Sequence, residues 1–370
     1  MSAYLQLFLR LLFLMLYLAT HLNCLMLLSG VNSMAKGKLY ICGEYAVVDG
    51  GAAVIAAVNR HLRAIVSESD DAFMVCDVTQ RPSIRTDDSD RYVKASFWIA
   101  ARYLAEEGVT LTAHTALRIE SELVEADGRK YGLGSSGAVT VAVLEALLNA
   151  YALSAEHIYK LAVLALQLVH DNGSAGDIAC SAFGQLIYYV RPDQDFVREL
   201  GNTIDTLNLH EIVNSVWPQL VLDRLQWPMG IQSFIAWTGS PASSAELVQS
   251  VRAYKTNNSA AYSSFVREST HISEAIRESC RTNNAHDFVA AYAQSSALLT
   301  EFSRKTGDFM NTPELKKCVR IAQEHGCAAK FSGAGGGDCA IALTYDDVDG
   351  HALCTAWNKA GIMPMDWHLG

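Results

Sequence analysis

The segment GLGSSGAV, at positions 132–139, has the residue types of a loop that holds a phosphate. Gly132 and Gly134 allow backbone amides to approach a ligand closely, and Ser135 and Ser136 add hydroxyl groups. An apolar helix is predicted to follow directly, and it would aim its first N–H groups and the positive end of its dipole at one point. Because an ordinary helix-capping turn has a similar composition, the segment needs support from elsewhere in the chain.

Gly132, Gly134 and Gly137 also satisfy G-x-G-x-x-G, which dinucleotide-binding loops share. Such a loop follows a strand directly, and an acid at the end of the next strand comes about 20 residues later. Here a polar turn precedes the loop, and Glu156 opens a predicted helix instead. The chain also lacks H-R-D, D-F-G and G-x-x-x-x-G-K-[ST], so the protein-kinase and P-loop patterns do not apply.

Two other loops and one lysine could contribute to the same chemistry. NGSAGD, at 172–177, places Asp177 in a loop of small residues. SGAGGGD, at 332–338, lies between a predicted helix and a predicted strand, and its glycine content indicates close approach of a backbone or a ligand. Lys38 opens the first predicted strand, although a single lysine by itself indicates only a surface charge.

The elements that must position these loops alternate between strands and helices. Short turns join many neighbouring strands, which favours mixed sheets with helices on one face, an α+β arrangement. The weakly patterned segment 191–228 is interpreted as an inter-domain region, which suggests domains at 34–205 and 206–370. The predicted strands are 38–48, 52–69 (as one strand or two), 114–124, 185–190, 233–237 and 339–345. The predicted helices are 92–108, 137–151, 155–170, those across 244–304, and 313–325.

Composition narrows the class of protein. With 370 residues, 50% of them hydrophobic, the chain can bury a large core and form two domains. A net charge of -10 argues against nucleic acid as a partner, but a small phosphorylated substrate needs only a few local cations. Nine scattered cysteines without a C-x-x-C pair indicate reduced thiols and a cytoplasmic location.

The first 33 residues do not fit that description. Positions 11–28 contain no Asp, Glu, Lys or Arg. This stretch is long enough for a short membrane helix, and it also resembles a signal sequence. A third interpretation is an extension before a natural start at Met34. Residues 1–33 are therefore left out of the fold prediction, and membrane association is not expected unless they belong to the native protein.

The three motifs together resemble those of the GHMP kinases. GKLYICGEYAVV, GLGSSGAV and FSGAGGGDCAIA occur in that order, and the resemblance runs from Lys36 to the C-terminus. It implies an N-terminal ATP-binding domain like domain 2 of ribosomal protein S5, a ferredoxin-like C-terminal domain, and an active site between them. The tyrosine of GEY, where mevalonate kinases have GEH, together with DNGSAGD and WTGSPASS, points to members whose acceptor is 5-phosphomevalonate.

The resemblance also implies roles for individual residues. ATP would donate its γ-phosphoryl group to a phosphate oxygen of 5-phosphomevalonate, with Lys38, Lys130 and Asp177 as catalytic residues. The implied ATP-binding residues are Gly132, Leu133, Gly134, Ser135, Ser136 and Gly137. The implied acceptor-binding residues are Lys38, Tyr45, Ser174, Ser244, Gly335, Gly336 and Gly337.

Mg2+ is the implied metal, and Ser136 is its expected protein contact. Mevalonate kinases carry a glutamate for Mg2+ on the helix before the acid loop. This chain has Gln167 in that region and no glutamate, so phosphates and water would have to supply the other ligands.

Several alternatives remain open from the sequence. Another small-molecule kinase of the family, such as a mevalonate kinase, shares these motifs. A catalytically silent relative that only binds ligand is a second alternative, although retention of Lys38, Ser136 and Asp177 argues against it. A nicotinamide-dependent oxidoreductase is a third. The oligomeric state is undetermined, with a homodimer as one option.

Overall fold

Two antiparallel sheets organise the chain in the computed structural model, which describes residues 31–68, 82–85, 87–111, 115–171, 173–241 and 244–370. Within helix 244–257, the side chains at positions 244–246 and 248 are not described. The first sheet has five strands and the second has four. Helices pack against both, which confirms the α+β prediction.

The first sheet is built around one long strand. β2 (Ala52–Glu68) pairs with β1 (Asn32–Cys42) on one side. On its other side it pairs with β4 (Ile187–Val190) through its first residues and with β3 (Thr115–Ser121) through its last. β5 (Val221–Arg224) extends the sheet beyond β4. The first half of β2 is apolar and completely buried, so this strand lies at the centre of the core.

Six helices accompany the first sheet, and the most apolar of them lies innermost. α2 (Ser135–Leu148) is buried along nearly its whole length, and after the first turn its polar residues are Thr140, which donates a hydrogen bond to the Ser136 carbonyl, and Glu145. The other five are α1 (Arg91–Glu106), α3 (Ala155–Leu168), α4 (Gly176–Phe183), α5 (Gln194–Thr203) and α6 (Leu209–Asn214). Because α2 is buried, the loop before it is held between protein layers.

The second sheet has the order β7-β8-β6-β9. Its strands are β6 (Gln232–Trp237), β7 (Ala328–Phe331), β8 (Cys339–Thr344) and β9 (Met363–Met365). Its helices are α7 (Ser244–Asn257), α8 (Ser259–Arg281), α9 (Ala285–Lys305), α10 (Pro313–Glu324) and α11 (Gly350–Lys359). Ser273 of α8 donates a hydrogen bond of 3.0 Å to the Ala52 carbonyl of β2, which joins the two halves.

Two sequence predictions differ from this architecture. The first strand ends at Cys42 because Gly43 has φ +94° and approaches the Ala52 carbonyl, and residues 46–49 then form a 3-10 turn. The segment 191–228 is not an open linker: it contains α5 and α6, and β5 pairs with β4 in the first sheet. The change from the first sheet to the second therefore comes after Arg224, and the domain boundary at 205/206 stays a prediction.

Most of the N-terminal segment lies outside the described residues. The interpretation of residues 1–33 as an extension, anchor or signal is covered by the structure only from position 31, and β1 begins at Asn32. Ser33 in this strand donates a hydrogen bond of 2.6 Å to Glu145 of α2. Within the described ranges, no helix combines the length and apolarity that a membrane crossing requires.

Candidate active site

A cavity of about 840 Å³ lies where the three motifs meet. Its wall includes Lys38 from β1, Ser136 from the start of α2, and Asp177 from the start of α4. Gly333 and Ala334, in the loop before β8, form part of the opposite side. Residues that lie far apart in the sequence therefore form a single concave site, as a small-molecule binding site requires.

The N-terminus of α2 has backbone donors that the helix does not use. Gly134 precedes the helix with φ +78° and provides no side-chain cap, and the first helical hydrogen bond runs from Ala138 N to Gly134 O at 3.0 Å. The N–H groups of Ser135, Ser136 and Gly137 consequently have no acceptor within the helix. In α3, by contrast, the Ser154 side chain caps the N-terminus at 3.2 Å.

Lys38 is a buried cation held against the glycine-rich loop. Its side chain is buried, with 8% of the residue exposed, and its Nζ donates a hydrogen bond of 3.0 Å to the Gly132 carbonyl. Its backbone N–H donates to the Leu133 carbonyl at 2.9 Å. Gly134 permits this approach because a Cβ there would lie 3.0 Å from Lys38 Cε. β1 and the loop thus place an ammonium group beside the open end of α2.

Asp177 brings a carboxyl group to the same point. It lies in the first turn of α4 and accepts a hydrogen bond of 3.0 Å from Ile178 N. Burial raises the pKa of Asp177, the positive charge of Lys38 opposes that rise, and the negative charge of Asp171 adds to it. A Cβ at position 137 would lie 2.9 Å from the Asp177 carboxyl carbon, so Gly137 is what lets α2 and α4 pack this closely.

The loop before α4 is held by tyrosines. Tyr40 OH and Ser174 Oγ are 3.0 Å apart, and Tyr189 OH donates a hydrogen bond of 2.7 Å to the Ser174 carbonyl. Tyr159 OH is in turn 2.9 Å from Tyr189 OH. Ser174 lines the cavity, and its contact with an acceptor stays a prediction. Ala175, with φ +56°, then starts α4 and orients Asp177.

The late glycine loop contacts the first strand and the turn after it. Tyr45 OH donates a hydrogen bond to the Ala334 carbonyl, and both residues line the cavity. Tyr40 N donates a hydrogen bond of 2.7 Å to Ser332 Oγ. Lys330 of β7 forms a buried ion pair with Glu44, which also lies in the cavity wall. These contacts hold the first and third motifs together.

Two of the three glycines predicted to line the acceptor side contact the Met310 carbonyl. Gly335 has φ +72°, and a Cβ there would lie 2.3 Å from that carbonyl. Gly336 N donates a hydrogen bond of 2.7 Å to the same carbonyl. Close packing therefore accounts for a glycine at position 335, and Gly333 and Ala334 of the same loop line the cavity. The acceptor contacts of Gly335, Gly336 and Gly337 stay predictions.

Other predicted residues do not line the cavity wall. Lys130 is exposed and forms an isolated bridge with Val124 at the turn before the loop. Ser135 is the first residue of α2 and lies outside the wall, as do Gly132 and buried Leu133. Ser244 begins α7, and its side chain lies outside the described part of the structure. The roles of these residues stay predictions.

Several cavity residues were not among the site residues predicted from the sequence. Tyr40 was detectable, because it lies two positions after Lys38 and so on the same face of β1. Arg91 and Tyr92 come from α1, and Arg252 and Lys255 from α7. Lys255 forms an ion pair of 2.6 Å with Asp49, which also lines the cavity. No local pattern marks these residues, because only folding brings their helices to the cavity.

The donor set is sparse for a metal held by protein alone. Among the described residues, no group of three or more His, Cys, Asp or Glu side chains is placed to hold an ion. Asp177 and the Ser136 hydroxyl both lie in the cavity wall. Such a pair suits Mg2+, which keeps several waters and takes its remaining ligands from substrate phosphates.

Comparison with known proteins agrees with this geometry. Residues 91–185 match the family model for the GHMP kinases N terminal domain, and residues 276–362 match the model for the GHMP kinases C terminal. A phosphomevalonate kinase of Streptomyces sp. (strain CL190) is 33% identical over 359 residues, which cover 90% of this chain and 95% of that protein. The chain belongs to the GHMP kinase family.

Solved structures also superpose on most of the chain. A Listeria innocua protein has a TM-score of 0.83 and 31% identity, and the match covers 92% of this chain and 98% of that one. Streptococcus pneumoniae phosphomevalonate kinase, in complex with phosphomevalonate and AMPPNP, has a TM-score of 0.77 and 27% identity. That match covers 92% of this chain and 100% of that one. The predicted family and fold are confirmed.

Proposed function

We propose that this GHMP kinase transfers the γ-phosphoryl group of ATP to a phosphate oxygen of 5-phosphomevalonate, forming 5-diphosphomevalonate in isoprenoid synthesis by the mevalonate pathway. One observation carries the proposal. Lys38, Asp177 and the uncapped start of α2 meet at one cavity, beside residues from both halves of the chain. The Streptomyces and Streptococcus relatives support the choice of acceptor.

The acceptor needs little activation by the protein. A phosphate monoester has a second pKa near 6, so its oxygens are largely ionised at neutral pH without a strong base. Catalysis then consists of aligning two phosphates and neutralising their charge. Lys38 and the N–H groups at the start of α2 are suited to this, because both present positive charge to the same side of the cavity.

In this proposal, Asp177 positions the neighbouring Lys38 and contributes a negative charge beside it. Its carboxylate lies near the Lys38 charge and beside Gly137, where it orients the ammonium group rather than removing a proton. Tyr45 and Ser174 line the cavity and would contact the acceptor. When bound, Mg2+ would supply charge neutralisation for the phosphates, with the Ser136 hydroxyl and Asp177 as its protein contacts.

The nearest rival is a mevalonate kinase activity, and the acceptor separates the two. Purified protein should release ADP in a coupled assay with 5-phosphomevalonate and Mg-ATP, and at most a trace with mevalonate. Turnover of mevalonate alone would assign the rival activity. ATP binding without ADP release from either acceptor would identify a silent relative. A thermal shift with NAD but not with ATP would instead favour the oxidoreductase.

The oligomeric state, for which a homodimer is one option, is tested separately. In light scattering on the purified chain, twice the monomer mass would show a homodimer, and a single-chain mass would exclude it.

A further inference from the structure

A second cavity of about 210 Å³ adjoins the site just described. We call it the side cavity. The two cavities share Leu166 and the acid-loop residues Asp171, Gly173, Ser174 and Ala175. The remaining wall of the side cavity comes from α3, from α5 and from Arg191 and Pro192 between β4 and α5. None of the three sequence motifs extends to this wall, so the side cavity has no assigned role.

The side cavity contains a buried cation with unused hydrogen-bonding capacity. Arg191 is 9% exposed, and its Nη1 donates a hydrogen bond of 2.8 Å to the Val48 carbonyl. Its Nε is buried and has no hydrogen-bond partner. A guanidinium group has five N–H donors, and burying one without an acceptor carries an appreciable free-energy cost. An oxyanion in the side cavity would offset that cost.

The acidic groups near Arg191 do not supply this anion. The two Asp171 oxygens accept hydrogen bonds from Tyr92 OH at 2.8 Å and from Gly173 N at 3.0 Å. Asp195 forms an ion pair of 2.6 Å with Arg198 at the exposed side of the cavity. In the described ranges, no Asp or Glu forms an ion pair with Arg191.

We propose that the side cavity is an anion subsite, in which the Arg191 guanidinium binds a carboxylate or phosphate group of a small molecule. Arginine suits this role because its planar donors match both kinds of oxyanion. The volume limits the ligand to a group of a few atoms. Since Ser174 lies in both walls, an anion bound there would touch the loop that carries Asp177 towards the reacting groups.

A binding measurement tests the subsite without relying on catalysis. Lys38→Met removes the cation of the main cavity, so thermal-shift titration of this variant with inorganic phosphate or with glutarate reports on what remains. Adding Arg191→Gln should weaken binding of the better probe about tenfold or more. Arg320→Gln, in the same background, is the control, because it removes an exposed arginine that lines neither cavity, and it should change binding no more than about twofold.

Equal affinities with and without Arg191→Gln, or no binding of either probe to Lys38→Met, would overturn the proposal. If Arg191→Gln does not fold, Arg191→Lys replaces it in the same titration. It keeps the charge but loses the planar donors, and it should weaken binding by at least severalfold. Unchanged affinity in Arg191→Lys would then count against the subsite.

Steady-state kinetics distinguish the two sources of the anion, and this arm alone depends on the proposed function. If the group is the acceptor's own carboxylate, Arg191→Gln raises KM for 5-phosphomevalonate about tenfold and leaves KM for ATP unchanged. If it is a free phosphate, both KM values stay constant and only the response to added phosphate is lost. A protein that turns over neither acceptor refutes the proposed function, whereas the titration still decides the subsite.

Discussion

Two buried lysines, Lys330 of β7 and Lys38 within β1, serve the protein differently. The ammonium group of Lys330 has three acceptors: the Glu44 carboxylate, Phe331 O at 2.9 Å and Tyr40 O at 3.4 Å. That of Lys38 donates one hydrogen bond, to the Gly132 carbonyl at 3.0 Å, and has the Tyr40 ring at 5.4 Å and the charge of Asp177 nearby. The first lysine is saturated by protein, whereas the second retains hydrogen bonds for a ligand. A buried charge indicates a functional site only when the fold leaves it incompletely paired.

The largest expected effect is on stability, at the saturated pair. Lys330→Met leaves the Glu44 carboxylate buried without a cation, which should lower the free energy of unfolding by about 3 to 5 kcal/mol. Adding Glu44→Gln should recover part of that loss. Arg320→Met breaks an exposed pair and should cost no more than about 1 kcal/mol. Urea denaturation measures all three, and equal losses for Lys330→Met and Arg320→Met would contradict this account.

At the incompletely paired lysine, the effect should fall on catalysis instead. Lys38→Met keeps the aliphatic part of the side chain and removes the charge. We expect kcat to fall about 100- to 1000-fold, because a charged donor aimed at the transferring phosphate is lost. The unfolding transition in urea should move little. The distinction between the two lysines would be contradicted if Lys38→Met lost as much stability as Lys330→Met. It would also be contradicted if Lys38→Met kept wild-type kcat.

Asp177→Asn should reduce kcat about 10- to 100-fold. The same substitution should make the folded protein more stable at neutral pH. Burial raises the pKa of Asp177, so its ionised form opposes folding. Protonated Asp177 contributes its full amount to stability when the pH is below the pKa of this carboxyl in the unfolded chain. That contribution is lost as the pH rises through the higher pKa of the folded protein. The stability advantage of Asp177→Asn over wild type should therefore be positive at pH 7 and shrink on acidification. Melting temperatures across pH measure this, and a constant difference would show that the carboxyl is not responsible.

The smallest effect is expected at the glycine that allows Lys38 to approach the loop. Gly134→Ala places a Cβ 3.0 Å from Lys38 Cε and also strains a backbone with φ +78°, which costs about 1 to 2 kcal/mol. Gly128→Ala is the matched control, since it has φ +87° and open space around the added carbon. Both variants should lose similar stability, but only Gly134→Ala should lose kcat severalfold. If the two variants had equal kcat, the position of Lys38 against the loop would not determine activity.

Local patterns predicted much of the fold. The helix starting near Gly137, the helix capped by Ser154 and the strand CAIALTY lie within a few residues of α2, α3 and β8. Segment 191–228 was harder, because α5, α6 and β5 acquire their stability by packing on the first sheet rather than from a strong pattern of their own. The same limit applies to Arg91 and Lys255, whose helices reach the cavity only through tertiary packing.

The composition of the glycine run before β8 does not reveal what packs against it. Its composition correctly indicated that something comes close to this backbone. The close neighbour is the Met310 carbonyl, 2.3 Å from where a Cβ of Gly335 would lie. Glycine content cannot distinguish a ligand from another stretch of the same chain, since both require the same absence of a side chain.

The sequence by itself determined the family and the α+β class, and it predicted site roles for Lys38, Ser136 and Asp177, because each motif is local and its residue types match its chemistry. Only the tertiary structure decided which charged side chains pair with each other and which stay incompletely paired. Glu44 and Lys330 stand 286 positions apart, and the unpaired Nε of Arg191 is apparent only once its surroundings are folded. Pairing and burial depend on contacts between distant segments, and these contacts separate a structural lysine from one that is available to a ligand.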